Sequence, residues 1–174
     1  KQDQRLQLAV ARATETGLPL VYVNQVGGQD ELVFDGGSFA LDAERRLVAQ
    51  APTFVEALTL TTWECDTDDA WRPAARGPIA QPRPALESIY RAMVMGLHDY
   101  VAKNRFPGVV LGLSGGIDSA LSAVVAVDAL GPERVHAVMM PSRYTSRESL
   151  DDAAELALRL GIRLDEIAIE PAVE

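Results

Sequence analysis

The chain has 174 residues, 48% of them hydrophobic, and a formal net charge of -9. That length allows one ordinary core or parts of two, and the composition excludes a disordered chain. The acidic balance argues against a nucleic-acid backbone or an anionic membrane as partner, although backbone N–H groups and a bound cation can still build a nucleotide site.

Cys65 is the single cysteine, so no intrachain disulfide can form, as in a reducing compartment. No apolar run approaches the ~18 residues of a membrane span. The start, Lys1 to Arg5, lacks the apolar stretch of a signal peptide, and a cytoplasmic protein is expected.

Leu6, Ala9, Val10 and Ala13 follow helical spacing, and Gly17-Leu18-Pro19 ends that pattern. Leu20 to Asn24 reads as a buried strand, broken by Gly27-Gly28. Leu32 to Phe34 reads as the next strand, and Asp35-Gly36-Gly37 as a tight turn. Residues 38–41 and 47–49 form an expected hairpin around residues 42–46. Val55 to Trp63 alternates partly and is expected as a strand. An acidic cluster follows, Glu64, Asp66, Asp68 and Asp69, and then Pro73, Gly77, Pro78, Pro82 and Pro84. Proline removes donors and restricts the backbone, so residues 66–84 read as a solvated linker without a regular element.

The remainder reads helix, strand, helix, strand, helix, strand. Ala85 to Asn104 carries Leu86, Ile89, Tyr90, Met93, Leu97 and Val101 on one face. Gly108 to Leu113 is a short apolar strand, Ser119 to Leu130 a buried helix stopped by Gly131-Pro132, and Arg134 to Met140 a strand. Thr145 to Glu148 fits a capping box opening a helix that Gly161 ends, and a strand is expected at Glu166 to Ile169. Such alternation implies a parallel sheet.

The informative segment is Leu113-Ser114-Gly115-Gly116-Ile117-Asp118-Ser119. It lies between a strand and a helix, at the carboxyl end of the strand, where open α/β sheets bind ligands. Its glycines let a ligand reach the main chain, and the helix start beyond offers free N–H groups to an anion. Asp118 beside phosphates makes sense as a ligand of a divalent cation, or else as a carboxylate offsetting the helix dipole. A Walker loop would need Lys-Ser or Lys-Thr, and a dinucleotide fingerprint a different glycine spacing. Gly112 to Gly116 also satisfies G-x-S-x-G, with Ser114 as the nucleophile of a serine hydrolase. That reading needs a later histidine, and His136 falls at the wrong end of its strand. A plain glycine-rich turn is the remaining alternative.

Ser114 to Ser119 resembles the S-G-G-x-D-S loop of the ATP pyrophosphatases. Residues 140–146, with Ser149, Asp151, Asp152, Ala153, Leu160 and Gly161, resemble the second segment of NAD synthetases. Residues 21–38 resemble the later part of the nitrilase-like glutaminase domain of glutamine-dependent enzymes of that family. The resemblance implies an α/β fold: the C-terminal part of a nitrilase-like sandwich in residues 1–65, the linker 66–84, and the start of a Rossmann-like ATP-pyrophosphatase domain in 85–174. It implies ATP and Mg²⁺ at residues 113–119, with Asp118 on the metal. The implied activity is a ligase: amidation of nicotinic acid adenine dinucleotide through an adenylate, with ammonia from glutamine, in a homo-oligomer that uses neither nucleic acid nor membrane. A GMP- or asparagine-synthetase-like amidotransferase and a noncatalytic subunit-contact piece stay open as alternatives.

The family's glutaminase Glu, Lys and Cys nucleophile precede the matching segment, and Cys65 is not that cysteine. The chain reads as a piece of a longer enzyme and is expected to be inactive alone. Ser114 and Ser119 are expected as phosphate donors. Arg143, Thr145 and Ser146 are weaker candidates for nucleotide or substrate contact. Gln25, Gln29, Asp30 and Glu31 are candidates for a glutamine pocket or a subunit contact. His98 and His136 are expected to be structural, and Trp63 and Trp71 to pack at the domain junction.

Overall fold

The structure is a computed structural model that describes residues 2–170. Lys1 and residues 171–174, at the ends of the two expected domains, lie outside the described residues. Contacts divide the chain into two units, residues 1–27 with 32–92, and residues 28–31 with 93–174.

In the first unit, helix α1 (Gln2–Thr16) precedes strands β1 (Leu20–Tyr22), β2 (Val26–Gln29), β3 (Leu32–Asp35), β4 (Phe39–Leu41) and β5 (Leu47–Gln50). Strands β1, β4 and β5 form an antiparallel sheet with β4 in the middle. Ala9 and Val10 of α1 pack on Leu20, Tyr22, Phe39, Leu41 and Leu47, with Tyr22 stacked on Phe39 at 5.2 Å between centroids. The small Ala9 and Ala13 let the helix lie close to the sheet.

Two polar networks shape the turns of this unit. Arg5 donates to both carboxylate oxygens of Asp35, at 2.8 and 2.6 Å. The Asn24 amide joins them, donating to Asp35 Oδ1 at 3.0 Å and to the Gly36 carbonyl at 2.8 Å. This pins the expected turn at Gly36 and Gly37, both at positive φ. In the β4–β5 hairpin Asp42 is buried and accepts from the Arg46 N–H at 2.8 Å and from Arg46 Nε at 2.7 Å.

The structure corrects several expectations here. Residues 55–62 form no strand. Instead Trp63–Cys65 is β6, paired antiparallel with β7 (Trp71–Pro73). The acidic cluster is therefore not without a regular element: it lies, still largely exposed, at the turn of this hairpin, in which Asp66 accepts from the N–H groups of Asp68 and Ala70. Beyond it, Gly77 donates to Val48, Gln50 to Pro78 and Ala80 to Gln50, so residues 77–80 run parallel to β5. Proline failed to keep this segment irregular because Pro78 contributes an acceptor and its neighbours supply the donors. Trp63 is half-buried and donates to Thr61, whereas Trp71 is 52% exposed and does not pack as expected.

The second unit carries the parallel sheet. Helix α2 (Ala85–Lys103), strand β8 (Val109–Gly112), helix α3 (Ile117–Leu130), strand β9 (Val135–Met139), helix α4 (Arg147–Leu160) and strand β10 (Arg163–Glu166) follow in order. The sheet order is β10-β9-β8, all parallel. Strand β10 starts three residues before the expected one, and its bonding continues through Ile167 and Ile169. The core is built from Leu113, Ala123, Ala126, Val135, Ala137, Met139, Ala153, Ala157 and Ile162. Alanine at the contact faces lets α3 and α4 approach the sheet closely. The apolar face expected on α2 is only partly used: Val101 is buried, while Leu86 and Ile89 are exposed.

Residues 28–31 also belong to this unit. The Gly28 N–H donates to Asp99 Oδ2 at 2.7 Å, and Lys103 Nζ donates to the Gly28 carbonyl. His98, largely exposed, bonds Asp99 as well. No helix among the described residues is long and apolar enough to cross a membrane.

Burial alone pushes the Asp42 carboxyl up, but the Arg46 backbone and guanidinium outweigh it, so Asp42 sits below the ordinary aspartate range. Its contribution to stability is therefore complete above the ordinary range and is lost as pH falls through the lowered folded value. Asp42→Ala should cost about 1–3 kcal/mol at neutral pH, measured by urea denaturation, and the gap to the parent should narrow toward about pH 3.

Candidate functional site

Strand β8 ends at Gly112, and the Leu113 N–H still donates to Val138 of β9 at 2.9 Å. Residues 114–116 then turn the chain into α3, which starts at Ile117, two residues before the expected position. This places Asp118 in the first turn of the helix, exposed, where a carboxylate meets the positive end of the helix dipole.

The two serines of the loop bind each other. Ser119 Oγ donates to the Gly116 carbonyl at 2.9 Å and accepts from the Ser114 N–H at 3.2 Å. Ser114 Oγ lies 3.1 Å from Ser119 Oγ and accepts the Gly116 N–H at 3.3 Å. The Ser119 proton is committed to a carbonyl, which only accepts, so the Ser114 proton goes to Ser119. Both hydroxyls thus spend their protons on the loop. No side chain caps α3, and the first intrahelical bond runs from Ala120 N to Gly116 O. The N–H groups of Ile117, Asp118 and Ser119 therefore lack an intrahelical acceptor. These are the free N–H groups expected at the helix start.

Gly115 has φ +80°, and a Cβ there would lie 2.2 Å from the Ser149 carbonyl oxygen. Only glycine satisfies both conditions. Gly116 is different, with φ -84° and its nearest neighbour the Ser114 Oγ at 3.5 Å.

The weaker candidates have other duties. The Thr145 hydroxyl accepts the Ser142 N–H at 3.0 Å and closes a turn of residues 142–145. It is not the helix cap expected. The cap is Ser146, one residue later, whose Oγ accepts the Ser149 N–H at 3.1 Å. The third residue beyond that cap is Ser149 rather than Glu148. Arg143 is exposed, with its guanidinium 5.0 Å over the Tyr144 ring and its backbone N–H on Glu170.

The surroundings weaken the hydrolase reading of Ser114. His136 pairs in register with Val110, roughly 13 Å back along the sheet from Ser114. Its Nε2 meets Asp165 at 2.9 Å. Asp165 is held below its ordinary range chiefly by Arg163, with His136 adding to that. Cys65 is exposed, its thiol near the Asp66 carbonyl and the Asp69 carboxylate. An apolar cavity of about 220 Å³ in the first unit, lined by Val21, Ala40, Ala49 and Leu58 among others, holds no carboxylate, amine, imidazole or thiol. No group of three or more His, Cys, Asp and Glu able to hold a metal occurs among the described residues.

Comparison with known proteins fits this two-part architecture. Residues 1–73 match the family described as carbon-nitrogen hydrolase, and residues 89–174 the family described as NAD synthase. The chain thus joins a segment of the carbon-nitrogen hydrolase class to a segment of the NAD synthase class. Over nearly its whole length the chain is similar to part of the glutamine-dependent NAD(+) synthetases. It is 56% identical over 98% of its length to the "Glutamine-dependent NAD(+) synthetase" of Rhodobacter capsulatus, and spans 30% of that protein. It is 42% identical over 99% of its length to the protein of the same description from Acinetobacter baylyi, and spans 31% of it. Among solved structures, the glutamine-dependent NAD+ synthetase of Acinetobacter baumannii in complex with ADP superposes with a TM-score of 0.82 and 45% identity. That match covers 98% of this chain and 32% of the other. The chain spans about a third of the length of the curated relatives it matches.

Gly115→Ala should destabilise the protein by about 2–3 kcal/mol, from the positive φ and the backbone overlap together. Gly116→Ala should show only the loss of a better helix cap, about 0.5–1 kcal/mol. Thermal unfolding of the two variants side by side measures the difference.

Proposed function

We propose that the chain is part of a ligase that converts nicotinic acid adenine dinucleotide to NAD with ATP, using ammonia released from glutamine. The observation that carries this reading is the Ser114–Ser119 loop. It stands at the carboxyl end of a parallel strand, closed by its own hydroxyls, with uncapped N–H groups at the start of α3. The likeness to glutamine-dependent NAD(+) synthetases suggests the substrates. In this reading residues 1–65 are the closing part of a glutaminase domain and residues 85–174 the opening part of a synthetase domain, with 66–84 between them. The setting is cytoplasmic and the enzyme a homo-oligomer.

The loop residues Leu113 to Ser119 hold the β,γ-pyrophosphate of ATP, and they do so with main-chain N–H groups. Ser114 and Ser119 keep the loop in the shape that aims those groups. A carboxylate oxygen of the dinucleotide attacks the α-phosphorus, the bond to the bridging oxygen breaks, and pyrophosphate leaves. Ammonia then attacks the acyl carbon of the adenylate, the acyl–oxygen bond breaks, and AMP leaves. Exposed, and in the first turn of α3, Asp118 fits Mg²⁺, which is commonly held by one or two carboxylates and substrate phosphates rather than by a protein cage. When bound, the ion neutralises the charge that builds on the departing phosphates. Arg143, on the exposed turn after β9, is available to a phosphate or carboxylate of the substrates, and Thr145 and Ser146 act on them through the turn and cap they form.

Asp118→Ala in the full-length protein should abolish pyrophosphate release, a loss of at least about a hundredfold, with the unfolding temperature little changed. Full release by that variant, assayed with ATP, Mg²⁺, ammonia and the dinucleotide, would remove Asp118 from the site and with it the ATP reading of this loop.

A further inference from the structure

We propose that the Ser146–Ser149 pair at the start of α4 is a positioning device for the ATP loop, acting through Gly115. The inference rests on that loop being the ATP site.

Three observations carry it. First, the contact between the loop and α4 is main chain against main chain. A Cβ on Gly115 would stand 2.2 Å from Ser149 O, 2.8 Å from Ser149 Cα and 2.9 Å from Ser149 C. Backbone cannot rotate out of the way as a side-chain end can, so a displacement of Ser149 displaces Gly115. Second, Ser149 is held by two bonds to one side chain. Its N–H donates to Ser146 Oγ at 3.1 Å, and its own Oγ lies 2.9 Å from the same oxygen. The Ser146 carbonyl also accepts from the Leu150 N–H at 3.3 Å, the first bond of the helix. The first turn of α4 is therefore set by one serine cap and its partner three residues on. Third, the loop's own bonds among Ser114, Gly116 and Ser119 are internal to it. They tie the loop to the first turn of α3, where Ser119 lies, and none of them reaches α4. Leu113 anchors it on the strand side, and Gly115 against Ser149 anchors it on the helix side.

Loosening the cap thus lets Ser149 shift against Gly115 and changes the loop where it leads into α3, and with it the aim of the first N–H groups of that helix. The effect falls on ATP and not on the second substrate. Ser146 and Ser149 are positioning residues here, and no contact of theirs with substrate is needed.

The test is steady-state pyrophosphate release by the full-length protein, with ammonia as nitrogen source and ATP varied. Ser146→Ala should raise the KM for ATP about fivefold, the equivalent of one lost helix cap. Ser149→Ala keeps the amide bond to Ser146 and loses only the hydroxyl pair, so a smaller rise of about twofold is expected. In both, kcat and the KM for the dinucleotide should change by less than about twofold. Ser146→Thr preserves a capping hydroxyl and should restore the KM for ATP. An unchanged KM for ATP with a lowered unfolding temperature would reduce the pair to ordinary helix stability and overturn the proposal. Failure of Ser146→Thr to rescue would mean that the Ser146 hydroxyl touches substrate itself, which overturns it as well. Asp118→Ala, assayed in parallel, separates the two levels. Full activity there sinks the ATP reading, whereas a dead Asp118→Ala beside a normal Ser146→Ala sinks only the positioning role.

Discussion

The close approach of Gly115 to the backbone of Ser149 is the constraint around which the second unit is arranged. It demands a residue without a Cβ and with a positive φ at one position, and it demands that α4 lie near enough to touch. The second demand is met by size. Ala123 and Ala126 of α3, Ala137 of β9, and Ala153 and Ala157 of α4 are all buried, and none holds the layers far apart. Leucine at Ala153 or Ala157 would push α4 outward and open the contact at its start. The loop's position is therefore a property of the whole layer and not of its six residues alone.

The first unit relies on charge at its turns where the second relies on small residues in its core. Arg5, Asn24 and Asp35 tie α1, the segment after β1 and the end of β3 to one another around the Gly36 carbonyl. Asp42 and Arg46 do the same within a single hairpin. In both networks one buried or half-buried carboxylate collects several donors, which offsets what its burial costs.

Much of this was legible in the residue pattern. The alternation of apolar runs and helical spacing beyond residue 85 revealed the parallel unit, and the S-G-G-x-D-S segment marked the strand-to-helix turn on which the proposed site rests. The α4 cap was misplaced by one residue. Thr145 and Ser146 are both good caps, and the choice turns on the 142–145 turn, which claims Thr145 first. The contact between Gly115 and Ser149 was invisible because it joins residues far apart in the chain through main-chain atoms. The inward commitment of the Ser114 and Ser119 hydroxyls was equally hidden, since a sequence shows a donor but not where its proton goes. The strand expected at 55–63 failed because its weak alternation found no partner strand, while the acidic and proline-rich stretch beyond it found β6 and β5.

That last pairing changes what the stretch is for. Residues 77–80 lie along β5, which is otherwise the outer strand of its sheet. An outer strand offers a row of unsatisfied donors and acceptors to any other extended chain, and is a common starting point for aggregation. Here the polypeptide covers its own margin within the first unit. The stretch acts as a selvedge that finishes the edge of the sheet, so a protease cut between Gly77 and Ala80 would leave a raw border as well as severing the chain.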